Sequence, residues 1–118
     1  MDSDFRPLKA AERALLEKLL DCEFPGRDEL RRQLDSVVAQ QVYDDGTLAL
    51  QVASGQPAAV KGRVPTEGKC PDVDGVMIDV LLHVVNGMMD ELEMYKQDGS
   101  DIVRPPTAGA LVLVPPWT

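Results

Sequence analysis

Residues 73–103, VDGVMIDVLLHVVNGMMDELEMYKQDGSDIV, constrain this chain more than any other stretch. Two dipeptides, Asn86-Gly87 and Asp98-Gly99, separate runs of alternating apolar residues. Asn-Gly and Asp-Gly supply the positive φ angles of a tight hairpin turn, so the stretch reads as three β-strands joined by two turns. Val76, Ile78, Val80, Leu82 and Val84 fill one face of the first strand. Turn length decides which residues of the next strand share that face. A two-residue loop sets Leu82 against Glu91 and Val80 against Glu93, which buries carboxylates at a large cost if they are unpaired. A three-residue loop, Val85-Asn86-Gly87, pairs Val84 with Met88, Val80 with Leu92 and Ile78 with Met94. The second register is the expectation, with Asp90 as its polar intrusion and a bulge holding Gly87 at positive φ.

Upstream, the apolar period is helical. Leu8, Ala11, Leu15 and Leu19 recur along Pro7–Cys22, with Pro7 in the first turn and Phe24-Pro25-Gly26 as the stop. A second, shorter helix is predicted over Arg27 to about Asp35, its first turn carrying Asp28 and Glu29. The period then shortens to two. Val38 and Val42 on one strand face Leu48, Leu50 and Val52 on the next, across Asp44-Asp45-Gly46, pairing Val42 with Leu48 and Val38 with Val52. Ala58–Val64 is a further strand candidate, and Pro65–Gly75 reads as the main loop. Ala110–Val114 is a short apolar run.

Helices first and strands afterwards predict an α+β fold. Two N-terminal helices pack on one face of an antiparallel meander sheet of about five strands. Residues 1–106 form a single domain and residues 107–118 a C-terminal tail, with an edge strand as one option.

Composition narrows function. A net charge of −8 argues against nucleic acid or an anionic membrane as partner and permits a basic protein. Aromatic residues make up only 4%, so the core is aliphatic. The N-terminus lacks an apolar leader, and no run approaches the ~20 residues of a spanning helix, which predicts a cytoplasmic protein. Cys22 and Cys70 match no zinc spacing and read as free thiols.

The second face of the central hairpin collects Asp79, Leu81 and His83 from one strand and Glu91, Glu93 and Tyr95 from the other. In the predicted register Leu81 opposes Glu91 and Asp79 opposes Glu93. One histidine among carboxylates could serve acid–base chemistry or hold a divalent ion. The ordinary alternative is a solvated face of weak ion pairs. A third reading ranks above catalysis: a binding face, with Leu81 and Tyr95 as anchors for a basic partner. A Cys70–His83 dyad is a further candidate with little behind it. Asp72-Val73-Asp74-Gly75 resembles the start of a calcium loop, but its glycine falls at the fourth position and His83 at the twelfth. No nucleophile motif or phosphate cradle is present, and no catalytic residue, metal or cofactor is expected.

Leu82-His83-Val84-Val85-Asn86-Gly87, then Glu91-Leu92-Glu93-Met94-Tyr95 and Asp98-Gly99, resembles a family of small bacterial domains of unknown function. Its members end in a "LHVVDG…ELEIY…DG" hairpin pair. Arg6-Pro7-Leu8 and Glu12-Arg13-Ala14-Leu15-Leu16 are similar to its opening, so the resemblance covers roughly residues 6 to 104. Asn86 stands where the family pattern has Asp, and both tolerate the turn. The resemblance implies a fold but no activity; in size and acidity it is similar to immunity or antitoxin-type proteins.

The expected function is therefore a non-enzymatic, acidic protein-interaction domain. The alternative is a small acid–base or metal-dependent enzyme using His83, Asp79, Glu91 and Glu93. Homodimerisation through an open sheet edge is a third expectation.

Overall fold

The computed structural model describes residues 4–114. Two helices, α1 (Ala10–Leu19) and α2 (Arg27–Gln33), precede most of the sheet. The first is shorter than predicted at both ends. Pro7 belongs not to its first turn but to a two-residue strand, β1 (Arg6–Pro7). Lacking an N–H, proline is confined to sheet edges, and β1 is one. Glu12 then closes the start of α1 by accepting the Lys9 amide at 2.8 Å. Gly26, at φ +92°, turns the chain into α2, and a Cβ there would lie 2.9 Å from Val60 Cγ1.

The remaining strands are β2 (Val37–Gln41), β3 (Leu48–Val52), β4 (Thr66–Pro71), β5 (Met77–Val85), β6 (Met88–Lys96) and β7 (Val112–Val114). All pair antiparallel, in the order β1-β2-β3-β6-β5-β4-β7. The α+β class stands, but among the described residues seven strands replace the expected five, and the order is not a meander. Residues 53–65 carry the chain from β3 around the turn end of the β5–β6 hairpin to the far side of β5. The Ala58 amide donates to Gly87 O at 2.8 Å, and Arg63 O accepts the Val84 amide at 2.7 Å. Ala58–Val64 is thus a connection and not a strand. Conversely, β4 lies where a loop was predicted. Thr66, Gly68 and Cys70 alternate inward, a pattern that Pro65, Gly68 and Pro71 disguise in the sequence. Gly68 is required by packing: a Cβ would stand 2.8 Å from Leu111 Cγ.

Two registers also differ from expectation. In the β2–β3 hairpin, Val37 pairs with Val52, Ala39 with Leu50 and Gln41 with Leu48. The connection is longer than predicted, and it is Val37 and Ala39 that are buried, while Val42 is 43% exposed. In the central hairpin, Asn86 (φ +54°) and Gly87 (φ +79°) form the two-residue turn, with Val85 opposite Met88 and Val84 opposite Met89. Two positive φ angles in succession match the right-handed twist of the flanking strands. The bulge falls not at Gly87 but at Asp90: beyond it His83 pairs with Glu91, Leu82 with Leu92 and Val80 with Met94. The extra residue turns Leu92 and Met94 inward and their acidic neighbours outward, removing the carboxylate burial that disfavoured a two-residue turn.

The core lies between the helices and this inner face. Leu16, Leu19, Leu20 and Leu30 are fully buried with Ile78, Val80, Leu82 and Leu92 in one cluster. Gln33 is buried with them and fully bonded: its amide nitrogen donates to Gly87 O (2.8 Å) and Gln56 O (3.1 Å), and its oxygen accepts the Met89 amide (3.0 Å). One end of the inner face is closed by ions. Lys96 Nζ reaches Asp74 at 2.6 Å and Asp72 at 3.1 Å, and the Lys96 and Asp72 side chains are excluded from solvent. Asp72 also accepts the amides of Val73, Val103 and Arg104, which tethers the segment between β6 and β7.

Candidate functional site: the open sheet face

Alternation in β5 and β6 places Asp79, Leu81, His83, Glu91, Glu93 and Tyr95 together on the face opposite the helices. Their cross-strand partners are displaced by two residues from the prediction. His83 opposes Glu91, Leu81 opposes Glu93, and Asp79 opposes Tyr95. Pairing of β4 with β5 adds Glu67 beside Leu81 and Lys69 beside Asp79. Ala49 of β3 lies next to Glu91. Most of these side chains are half-buried, Tyr95 is 40% exposed, and Asp79 is buried.

His83 is held at both ring nitrogens. Arg63 Nε donates to Nδ1 at 2.9 Å, so Nδ1 carries no proton and Nε2 does. That Nε2–H points at Glu93 Oε1, 2.7 Å away. Both ring nitrogens are therefore engaged, and neither is free to take a proton from a substrate. Arg63 also lies 3.6 Å from Asp90 Oδ2, on the outward bulge. Asp79 is engaged elsewhere, with Gln97 Nε2 at 3.1 Å and Lys69 Nζ at 3.6 Å. It sits four residues from His83 along β5, roughly 13 Å at strand rise. Burial raises the Tyr95 phenol above its ordinary pKa, and the Asp79, Glu93 and Glu67 carboxylates add to the shift, so the hydroxyl stays a donor. Beside Tyr95 opens a cleft of about 360 Å³, walled by Asp44, Asp45, Ser100 and Asp101.

The face therefore collects the six predicted residues but does not converge them. Among the described residues no group of three or more His, Cys, Asp or Glu side chains could hold a metal ion. The Cys70–His83 dyad is excluded by geometry: Cys70 faces the core opposite Ile78, while His83 faces outward. Burial also raises the Cys70 thiol, the reverse of what a nucleophile needs. Asp72 and Asp74, whose spacing suggested a calcium loop, are instead the counter-ions of Lys96. Arg63, Glu67 and Lys69 were missed. The outward positions of β4 could have been read from the alternation Thr66, Gly68, Cys70 against Glu67, Lys69; nothing local marks Arg63.

Two helices on one side of a seven-stranded antiparallel sheet, with a polar face left open on the other, define a small α+β domain. The chain belongs to the family described as Domain of unknown function (DUF6984), whose model matches residues 5–106. No curated protein and no solved structure matches the chain. No helix among the described residues is long and apolar enough to cross a membrane.

Proposed function

We propose that this is a non-enzymatic, acidic protein-interaction domain of the cytoplasm, immunity- or antitoxin-like or regulatory in role, whose open sheet face receives a basic protein. One observation carries the reading. Glu67 and Glu91 point outward on this face and have no hydrogen-bond or ion-pair partner among the described residues, whereas Asp79, Asp90 and Glu93 are all paired. Unpaired, half-buried carboxylates beside Leu81 and Tyr95 offer the charge complement and apolar anchors of a binding surface. The net charge of −8 supports the sign of the partner. The acid–base alternative is disfavoured by the engagement of both His83 nitrogens and the distance of Asp79.

The test is capture from host lysate with wild-type bait and a Glu67→Lys/Glu91→Lys double variant. Neither residue is bonded among the described residues, so the variant is expected to melt as the wild type does. A basic protein retained by the wild type and lost by the variant supports the reading. Equal retention by both, with matching melting curves, removes this face as the site.

A further inference from the structure

Arg63 comes from the connection before β4, not from the sheet, yet its guanidinium lies on the open face. Its backbone is fixed there by the Val84 amide at 2.7 Å. Among the described residues its side chain is held only by contacts at the surface: one hydrogen bond to His83 Nδ1 (2.9 Å) and a 3.6 Å approach to Asp90, with 56% of the side chain exposed. Glu93 fixes the acceptor that Arg63 uses, since a proton held on Nε2 leaves Nδ1 as a lone pair. The face thus presents a directional nitrogen acceptor and a carboxylate, filled by a cation of the same chain. Glu67 and Glu91 remain unfilled.

We propose that the occupant of this face is an arginine-bearing segment of the basic partner, and that Arg63 is its built-in competitor, vacating His83 and Asp90 when the partner's guanidinium arrives. The inference rests on the binding-face reading above and adds the partner's chemistry and the regulation. Removing Arg63 from the face needs no strand to open, because its backbone bond is made by its carbonyl. What is lost is a pair of exposed contacts, each weak. What is gained is the same pair from the partner, further charge complementarity at Glu91 and Glu67, and the exposed Tyr95 ring for a second cation. Arginine fits better than lysine: a guanidinium presents several N–H donors in a fixed plane, so it can meet an imidazole lone pair and a carboxylate at once.

The probe is octa-arginine, titrated against wild type, Arg63→Gln, Arg31→Gln and Glu67→Lys/Glu91→Lys, with octa-lysine as control. Arg31 lies on α2, away from the open face, and its loss makes the same change in net charge. Arg63→Gln is expected to bind octa-arginine about fivefold more tightly than either wild type or Arg31→Gln, the gain from releasing one exposed pair. The double variant binds more weakly than wild type, and octa-lysine more weakly than octa-arginine. If Arg63→Gln gains no more than Arg31→Gln, or if octa-lysine matches octa-arginine, the inference falls while the face remains a binding site. If the double variant binds octa-arginine as wild type does, the binding-face reading falls with it. Absence of binding by all four proteins overturns the arginine assignment and leaves the face to the lysate experiment. Matching melting curves establish that each variant is folded.

Discussion

Gly87 and Gly99 both hold φ at +79°, yet their surroundings differ. A Cβ on Gly87 would meet Pro57 Cβ at 2.6 Å and the Ala58 nitrogen at 2.8 Å, whereas a Cβ on Gly99 would meet nothing within 4 Å among the described residues. Gly87→Ala is therefore expected to cost about 2–4 kcal/mol, strain and clash together, against about 1 kcal/mol of strain alone for Gly99→Ala. Urea unfolding of the two variants separates the contributions. Gln33 makes a second residue-level case. Gln33→Leu keeps the volume but strips a buried amide at Met89 of its acceptor and the Gln56 carbonyl of its donor, while Gly87 O keeps the Ala58 amide. A loss of about 2–3 kcal/mol is expected, read from the same unfolding curves. Both glycine turns were legible in the sequence, but the third strand expected beyond Asp98-Gly99 does not form: no strand lies between Lys96 and Val112, and the Val103 and Arg104 amides donate to Asp72 instead. The role of Gln33 was not legible, because its partners lie at residues 56, 87 and 89 and only the tertiary structure brings them to α2.

At the scale of elements, the two hairpins show how a register error propagates. Side chains alternate with a period of two, so a displacement by one residue inverts the faces and a displacement by two preserves them. The β2–β3 prediction was displaced by one, and Val38 and Val42 were assigned the buried side that Val37 and Ala39 occupy. The β5–β6 prediction was displaced by two, so the six residues share one face as expected and their cross-strand partners differ. The missing element was the bulge at Asp90, which has no composition signature of its own. It yields a prediction. Deleting Asp90 should leave a regular two-residue hairpin with Met89, Leu92 and Met94 still inward, and a cooperative thermal transition. Deleting Glu93 should turn Met94 and Lys96 outward and Tyr95 inward, abolishing that transition. Circular dichroism melts of the two deletions check it; a cooperative melt for the Glu93 deletion would mean the strand register is not held by its inward residues.

For the whole molecule, the buried Lys96–Asp72–Asp74 cluster fastens the segment beyond β6 to the sheet, and its charges set a pH window. Burial opposes ionisation of Asp72, but three amides and Lys96 overcome it and hold the carboxyl well below its ordinary range. Asp74 is lowered chiefly by its hydrogen bond from Lys96, and Lys96 is raised chiefly by Asp74. A lowered acid stabilises the fold above its unfolded pKa and loses that contribution as pH falls; a raised base does so below its unfolded pKa and loses it as pH rises. Stability should thus be level in the neutral range, decline below about pH 4 and decline again above about pH 10.5. Asp72→Asn should be less stable at neutral pH and should flatten the acid limb, measured as the urea midpoint against pH. An unchanged acid limb in Asp72→Asn would assign that limb to other carboxylates.

The chain by itself determined what depends on neighbours along it. The helical period of the N-terminal segment, a turn at Asn86-Gly87, the acidic balance and the sidedness of β5 and β6 all follow from spacing and local backbone geometry; the two-residue length of that turn does not, because it depends on the bulge at Asp90. Tertiary structure decided what depends on residues far apart: the passage of 53–65 around the hairpin, β4 in place of a loop, the bulge at Asp90, and the seat of Arg63 on His83. Those outcomes follow from burying Leu92 and Met94 while keeping Glu91 and Glu93 wet, and from satisfying buried polar groups such as Gln33 and Lys96. Such requirements act across the closed core, and no window of the sequence contains both sides of them.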